Sequence, residues 1–200
     1  PYSPVLKPGT NGGAISLWVN GQDFAEVGTK ILYVYGDTAG DSDWTLIGVN
    51  GNNPNNLGAM WRKNGGNPAC LAPATGAWHH ILFNVDSNAA EAIYVDGQLR
   101  VTAVYGGGGS VGNWPVGIGG PAPGWQDSVW LHERGMIDEV RVYNRPLAPD
   151  EVVALYMEPA GPTAELVVEG SPARYGSPTP QGYGTNVVAL SSVVTNSVAS

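Results

Sequence analysis

The sequence predicts an all-β fold, an antiparallel β-sandwich with one short helix near its end and a β-rich C-terminal extension. Three observations favour this fold. Short segments of alternating apolar and polar residues recur along the chain and are separated by clusters of Gly, Asn, Asp and Pro. The dipeptide Asp96-Gly97 joins two of these segments and accepts the positive φ angles of a two-residue hairpin turn. Only one segment shows helical features, which disfavours an α/β fold.

The predicted strands follow this alternation from one end of the sandwich to the other. The turn signals between them include the polar stretch 51–56 and the four glycines at 106–109. The alternating segments are 14–19, 30–35, 44–49, 57–62, 78–85, 91–95, 99–104, 116–118 and 136–143.

The helix is predicted over Pro149–Met157. Proline suits the first helical position, and Asp150 and Glu151 lie in the first turn, where the helix dipole favours negative charge. An apolar stripe follows, formed by Val152, Val153, Leu155 and Tyr156. Ala148 stands at the cap position, where a Ser or Thr would accept a backbone hydrogen bond, and we expect this to weaken the helix start by roughly 1 kcal/mol.

Composition restricts the class of protein. Hydrophobic residues make up 42% of the chain and include seven Trp and nine Tyr, ample for a packed core. The net charge is -8, and the nine basic residues are scattered, so the clustered charge needed to bind nucleic acid or an anionic membrane is missing. The single cysteine, Cys70, cannot form an intrachain disulfide. No apolar run approaches the ~20 residues of a membrane helix, so membrane insertion is not expected.

A change in composition marks a domain boundary. The stretch 158–162 contains two prolines and a glycine, and the residues after it include no tryptophan. We therefore predict a first domain over 1–158 and a linker with a partial β-rich module over 159–200, with strands at 164–168 and 186–190. The chain starts at Pro1 without a signal peptide, so we interpret it as a processed or excised piece of a longer protein.

Three sequence motifs together resemble a known family. They are Gly76-Ala77-Trp78-His79-His80, then Ile93-Tyr94-Val95-Asp96-Gly97-Gln98-Leu99, and finally the run from Gly135 to Arg145. Their order is similar to that of laminin-G-like, concanavalin A-like jelly-roll domains, in particular the bacterial extracellular branch. The resemblance covers residues 14–156 and implies a jelly roll, location outside the cell or on its surface, and binding of glycans or proteins. Residues 175–185 resemble the opening of β modules repeated in large bacterial surface proteins.

The beginning of the chain departs from this family pattern. Relatives carry an earlier strand beside the one that matches 136–143, whereas only residues 1–10 are available to form it here. A sheet that lacks a strand exposes backbone donors and acceptors. Our hypothesis is that residues 2–6 or a tail strand fills this position, from the same chain or a neighbouring one. If the strand came from a neighbouring chain, the protein would self-associate through this open sheet edge.

Asp138 is the candidate metal ligand. Strict alternation places Met136, Asp138, Val140 and Val142 on one apolar face, where a carboxylate without a partner is costly. Hydrogen bonds from backbone amides or a bound cation would each solve this, and several relatives hold a structural calcium near this strand. Both solutions stay open. Alternation places Glu139 and Arg141 together on the opposite face, as an exposed ion pair worth at most ~1 kcal/mol.

The sequence does not favour an enzyme. Alternation places His79 and His80 on opposite faces, and no HExxH spacing suits zinc. The jelly-roll glucanases of the related families present their acids in a Glu-x-Asp-x-x-Glu or Glu-x-Asp-x-Glu pattern, which this sequence lacks. A nucleophile elbow of the form Gly-x-Ser-x-Gly is also missing.

Loop aromatics and amides are the candidate ligand-binding residues, because sugars are commonly bound by an aromatic face together with side-chain amides. Trp18 and Trp78 lie in predicted strands and are assigned to the core. The leading hypothesis is a non-catalytic extracellular binding or adhesion module that recognises carbohydrate or a surface protein. The alternative is a structural spacer joined to its neighbours by strand exchange. The candidate ligand-binding residues are Asn53, Trp61, Arg62, Trp114, Trp125 and Trp130.

Overall fold

The computed structural model describes residues 12–36, 44–50, 56–61, 68–104, 112–122 and 130–158, together with short strands of the tail. For the tail strands and for Trp44, Trp130 and Leu131 the description covers the backbone alone. The chain divides into two compact units, Pro1–Met157 and Glu158–Ser200.

The described residues of the first unit form eleven strands and one helix. Nine strands and the helix Pro149–Met157 (α1) match the segments predicted from the sequence. The strands are β1 (Gly13–Gly21), β2 (Thr29–Gly36), β3 (Trp44–Asn50), β4 (Asn56–Trp61), β5 (Ala69–Leu71), β6 (His79–Val85), β7 (Ala90–Val95), β8 (Gln98–Val104), β9 (Val116–Ile118), β10 (Trp130–His132) and β11 (Gly135–Tyr143).

These strands form two sheets, and the predicted antiparallel sandwich is confirmed. The first sheet has the order β11-β1-β6-β7-β8, and the second has the order β10-β2-β3-β4-β5, with β9 also paired to β2. The pairing is antiparallel except between β10 and β2, which run parallel. Sequence analysis missed β5 and β10, which like the predicted strand β9 are three residues long, because so short a strand gives little alternation to detect.

The core lies between the two sheets. Alternate residues of β1, β6 and β7 face alternate residues of β2, β3 and β4, so each strand contributes one of its faces. The indole of Trp61 meets the ring of Phe83 edge-on, with ring centroids 5.9 Å apart, and it ties the second sheet to the first. The largest fully buried side chains include Trp61, Tyr33, Tyr35, Phe24, Lys30 and Phe83.

The hairpin between β7 and β8 forms at the dipeptide that predicted it. Asp96 has a φ of 53° and Gly97 a φ of 72°, so both turn residues are left-handed, as this turn requires. Asp96 also fixes the turn to β6, because one carboxylate oxygen accepts the backbone N–H of His80 at 3.0 Å.

The helix α1 packs on the outer face of the first sheet. Val152 is fully buried in a small cluster. At the start of the helix, Glu151 offsets the weak cap expected at Ala148. Its carboxylate accepts the backbone N–H of Ala148 at 2.9 Å, as the third-position Glu does in a capping box. The same carboxylate accepts hydrogen bonds from Nη1 and Nη2 of Arg145.

A bulge in β11 overturns the predicted orientation of Asp138. Arg141 pairs with Ser16 and Asp138 pairs with Trp18, so four residues of β11 lie opposite three residues of β1. Glu139, inside this bulge, has a φ of 50°. The extra residue shifts the alternation. The side chains that pack against the core are therefore Ile137, Val140 and Val142, whereas Asp138 is exposed. The predicted inward row of Met136, Asp138, Val140 and Val142 was wrong.

Among the described strands, β11 forms one edge of the first sheet. Its neighbour among the described strands is β1, and residues 2–6, which the sequence suggested as a substitute strand, lie outside the described part of the chain. The predicted pair Arg141–Glu139 is confirmed at 2.8 Å. A bulge and charged side chains are devices that protect sheet edges from unwanted pairing. Strand exchange at this edge stays a prediction.

The tail unit contains two small antiparallel sheets. One pairs β12 (Thr163–Val168) with β14 (Gly184–Ala189), and the other pairs β13 (Pro178–Thr179) with β15 (Ser197–Val198). Across the described residues, no helix combines the length and apolar character needed to span a bilayer.

Candidate functional site

A cleft crosses the outer face of the second sheet, on the side turned away from the core. Its volume is about 240 Å³, and it runs across β2, β3, β4 and β5. The residues that line it are Thr29, Leu46, Gly48, Asn50, Asn56, Gly58, Ala59, Met60 and Ala69.

The register of three strands builds the floor of this cleft. Gly48 on β3 lies opposite Gly58 on β4, and Gly58 lies opposite Ala69 on β5. Residues two apart on a strand share a face, so the flanking pairs point the same way as this row of small residues. A trough of small residues therefore separates two rows of larger residues.

The two flanking rows differ in chemistry. On one side Leu46 pairs with Met60 and supplies an apolar wall, while on the other Asn50 pairs with Asn56 and supplies two amides. Thr29 continues the polar row, because it pairs with Asn50 on the next strand. The amide and hydroxyl groups offer both hydrogen-bond donors and acceptors, which suits a ligand rich in hydroxyl groups.

The two glycines of the floor serve different purposes. A methyl group placed on Gly48 would lie 2.7 Å from the carbonyl oxygen of Lys30, so close packing of the backbone requires glycine there. The nearest atom to a methyl group on Gly58 would be the carbonyl oxygen of Pro68, at 3.8 Å. Among the described residues the space above Gly58 is open, and their packing does not explain the missing side chain. Glycine within a strand often marks a bulge, a bend, or a place where a ligand or another backbone approaches closely.

Among the sequence-predicted ligand residues, Trp61 is corrected by the structure. Only 1% of its surface is exposed, because the alternation of β4 points its indole into the core. It therefore cannot present a ring to a ligand at the surface. Met60, the residue before it, lines the cleft instead.

The other predicted aromatics lie elsewhere. Trp114 is half-buried against the core, and its backbone N–H donates to the hydroxyl of Tyr35 at 3.2 Å. Tyr35 in turn donates to the carbonyl of Gly112 at 2.8 Å, which anchors the segment around Trp114. Trp130 pairs in register with Thr29, one strand beyond the cleft. Asn53, Arg62 and Trp125 lie outside the described residues.

Two tryptophans assigned to the core are partly exposed. Trp78 precedes β6 and has 38% of its surface exposed, so its assignment was wrong. Trp18 is half-buried on the outer face of the first sheet, where its ring stacks on Tyr156 with centroids 5.9 Å apart. It therefore joins the helix to the sheet rather than filling the space between the sheets.

Asp138 has no surroundings that indicate a metal within the described ranges. Its carboxylate accepts a hydrogen bond from the backbone N–H of Glu139 at 2.8 Å. A backbone amide as partner was one of the two alternatives that the sequence left open. No group of three or more His, Cys, Asp or Glu side chains that could hold a metal ion occurs among the residues described here. A structural calcium stays a prediction.

A serine and a histidine in contact do not form a reactive site. The hydroxyl of Ser16 and Nε2 of His80 lie 2.8 Å apart, but the two residues are 2% and 1% exposed, and Tyr156 lies near the histidine ring. The carboxylate of Asp96 contacts Nδ1 of His79 at 2.8 Å. A substrate cannot reach this pair, and its role is to hold the strands and the helix together.

The acids Asp23 and Glu133 form a second cluster with a structural role. Burial and the neighbouring Asp23 raise the pKa of Glu133 to about 7. Arg134 donates to Asp23 at 3.1 Å and Gln22 donates to Glu133 at 3.3 Å, so the cluster joins the end of β1 to the start of β11.

Glu91 is a buried acid in the core. It is 2% exposed, and burial raises its pKa to about 8, although a hydrogen bond from the backbone of Trp61 acts in the opposite direction. Within the described part of the chain, Oε2 of Glu91 has no hydrogen-bond partner. Burial therefore favours the protonated form of this carboxyl.

Comparison with known proteins gives the family. The sequence pattern of the concanavalin A-like lectin/glucanase superfamily, in its laminin-G form, matches residues 3–153. The chain belongs to this superfamily. A search of curated protein sequences gave no match.

Solved structures with the same concanavalin A-like fold include sugar-bound domains. The chain is similar to the CBM40 domain of a Ruminococcus gnavus IT-sialidase bound to α2,3-sialyllactose, with a TM-score of 0.55, 15% identity, and coverage of 74% of this chain and 84% of that one. Domain 4 of AbnA, an extracellular arabinanase from Geobacillus stearothermophilus in complex with arabinotriose, gives a TM-score of 0.52, 22% identity, and coverage of 74% and 68%. A heptameric pentraxin from Limulus polyphemus gives 0.51, 15% identity, and coverage of 75% and 71%. At these identities the likeness shows the fold.

Sequence reasoning missed the residues of the cleft. The available signal was a glycine within each of two successive predicted strands, at Gly48 and Gly58. Their alignment into one trough depends on the register between β3 and β4, which the sequence alone does not state.

Proposed function

We propose that this concanavalin A-like domain is a non-catalytic, extracellular carbohydrate-binding module and that the cleft on its second sheet is the ligand site. The observation that carries the proposal is the row of small residues Gly48, Gly58 and Ala69 between an apolar wall and two asparagines. A sugar ring has apolar C–H faces and a rim of hydroxyls. It would lie on the smooth floor, with the wall formed by Leu46 and Met60 on one side and the amides on the other.

Two further considerations support this function. Two of the similar structures hold oligosaccharides, which makes a sugar the leading ligand class by analogy of fold. Asp23 accepts a hydrogen bond from Arg134 and Glu133 accepts one from Gln22, and the Ser16–His80 pair is inaccessible, which disfavours a hydrolytic role for either pair. Secretion or display at the cell surface would give such a module access to glycans.

A substitution that fills the cleft tests the proposal. We expect Gly58→Val to reduce binding to any glycan recognised by the unaltered protein on a glycan array by at least about tenfold, or about 1.4 kcal/mol. The methyl groups would occupy the space above the floor, while a β-branched residue suits the strand and should leave the fold intact.

The matched control is Thr102→Val, which introduces the same side chain at an exposed position of β8 on the other sheet. It should bind like the unaltered protein. Equal binding by the folded Gly58→Val variant would show that the glycan binds elsewhere.

A further inference from the structure

We infer that the cleft accepts one terminal sugar residue, which enters from the β5 edge, and not an internal segment of a continuous chain. This inference rests on the proposed function and specifies its ligand class as the exposed end or branch tip of a glycan. It follows from three observations: the cleft is closed at its β2 end, open at its β5 end, and small.

The closed end is a packed wall over β2. Ile31 and Val34 point to the outer face of the sheet but are fully buried, because Ala122 packs against them together with Leu46. Residues on an outer face become this inaccessible only where another segment covers them.

The covering segment is fixed by the backbone. The N–H of Gly119 donates to the carbonyl of Leu32 at 3.0 Å, and the N–H of Glu133 donates to the carbonyl of Gly119 at 2.9 Å. The ring of His132 lies against Gly120, and His132 itself pairs with Ile31 in the sheet. The wall therefore belongs to the folded structure and is attached to both β2 and β10.

The opposite end opens progressively toward the edge of the sheet. Along the row of small residues, Gly48 is buried, Gly58 is half-buried and Ala69 is exposed. Leu71, two residues further along β5, is 73% exposed. Because β5 is the last described strand on this side of the sheet, a ligand can enter there without crossing another strand.

The size of the cleft agrees with a single residue. Its volume of about 240 Å³ lies below the roughly 300–1,000 Å³ of pockets that surround a drug-sized ligand. A polysaccharide that passed through would need two open ends, and the wall formed around Ile31 and Ala122 removes one of them. The remainder of the glycan would extend past Ala69 into solvent and add little to the affinity.

Two measurements on the unaltered protein test this inference. First, glycans printed by their reducing ends would be probed before and after an exoglycosidase removes the terminal residue of each bound glycan. We expect trimming to lower binding by at least about tenfold. Second, calorimetry with oligosaccharides of one to six residues, all carrying the terminal residue of the strongest array ligand, should give affinities within about threefold of one another.

The outcomes separate this inference from the proposed function. An affinity that rises steadily to five or six residues, or binding that survives trimming, would overturn the terminal-residue inference and leave the cleft as a carbohydrate site. If the printed glycans gave no binding at all, both proposals would be rejected. If the unaltered protein bound the single sugar residue and Gly58→Val bound it equally well, the assignment of the site to this cleft would be wrong.

Discussion

Replacing Trp61 with alanine is expected to lower the free energy of unfolding by about 3–5 kcal/mol. The indole is 1% exposed and contacts Phe83 of the opposite sheet, so its removal would leave a large cavity between the sheets. The loss would be measured by urea denaturation followed by far-UV circular dichroism at constant pH.

The matched control for this prediction is Trp114→Ala. Trp114 is half-buried at the margin of the core, so we expect a smaller loss there, of about 1–2 kcal/mol. If Trp61→Ala cost less than Trp114→Ala, the indole of Trp61 could not lie between the sheets. The sequence-based assignment of Trp61 to a surface site would then be reconsidered.

Stability is expected to fall as the pH rises from about 5 to 8. The pKa of Glu91 is raised to about 8 by burial, and that of Glu133 to about 7 by burial and by Asp23, from an ordinary value of 4.5. Below the ordinary value both groups are protonated in the folded and unfolded states alike. Above it the unfolded chain releases these protons first, so the stabilisation is lost progressively until the folded pKa values are passed.

The magnitude follows from the size of the two shifts. Each unit of pKa difference corresponds to about 1.4 kcal/mol, and relaxation of the surroundings reduces the total, so we expect a combined loss on the order of 3–5 kcal/mol. Glu91→Gln should remove the part of this loss in the free energy of unfolding that extends to pH 8, because an amide does not titrate. A free energy of unfolding that stayed constant or rose between pH 5 and 8 would contradict the protonated state of both acids.

Much of the sandwich was accessible from the sequence because alternation and turn residues are local signals. The hairpin at Asp96-Gly97 and the helix Pro149–Met157 formed where their residues predicted them. The two missed strands, Ala69–Leu71 and Trp130–His132, are three residues long and are held by pairing with longer neighbours.

The candidate site was much less accessible, for physical reasons that differ among residues. Asp138 was misplaced because one extra residue in β11 reverses the alternation, and no local signal announced the bulge. Trp61 was expected at the surface but is buried, and Trp78 was expected in the core but is partly exposed. Both lie at or next to the end of a strand, where a side chain can point inward or remain exposed according to what covers it.

The cleft itself arises from pairs such as Gly48 with Gly58, which lie ten positions apart in the sequence and meet through strand register.

The location of the glycan site can be measured directly. In a ¹⁵N-labelled sample titrated with the strongest array ligand, we expect the largest amide shifts at Gly48, Asn50, Asn56, Gly58 and Ala69. These residues belong to three adjacent strands of one sheet. If the shifts clustered instead on the first sheet around Trp18 and Trp78, the ligand would bind the opposite face and the proposed site would be wrong.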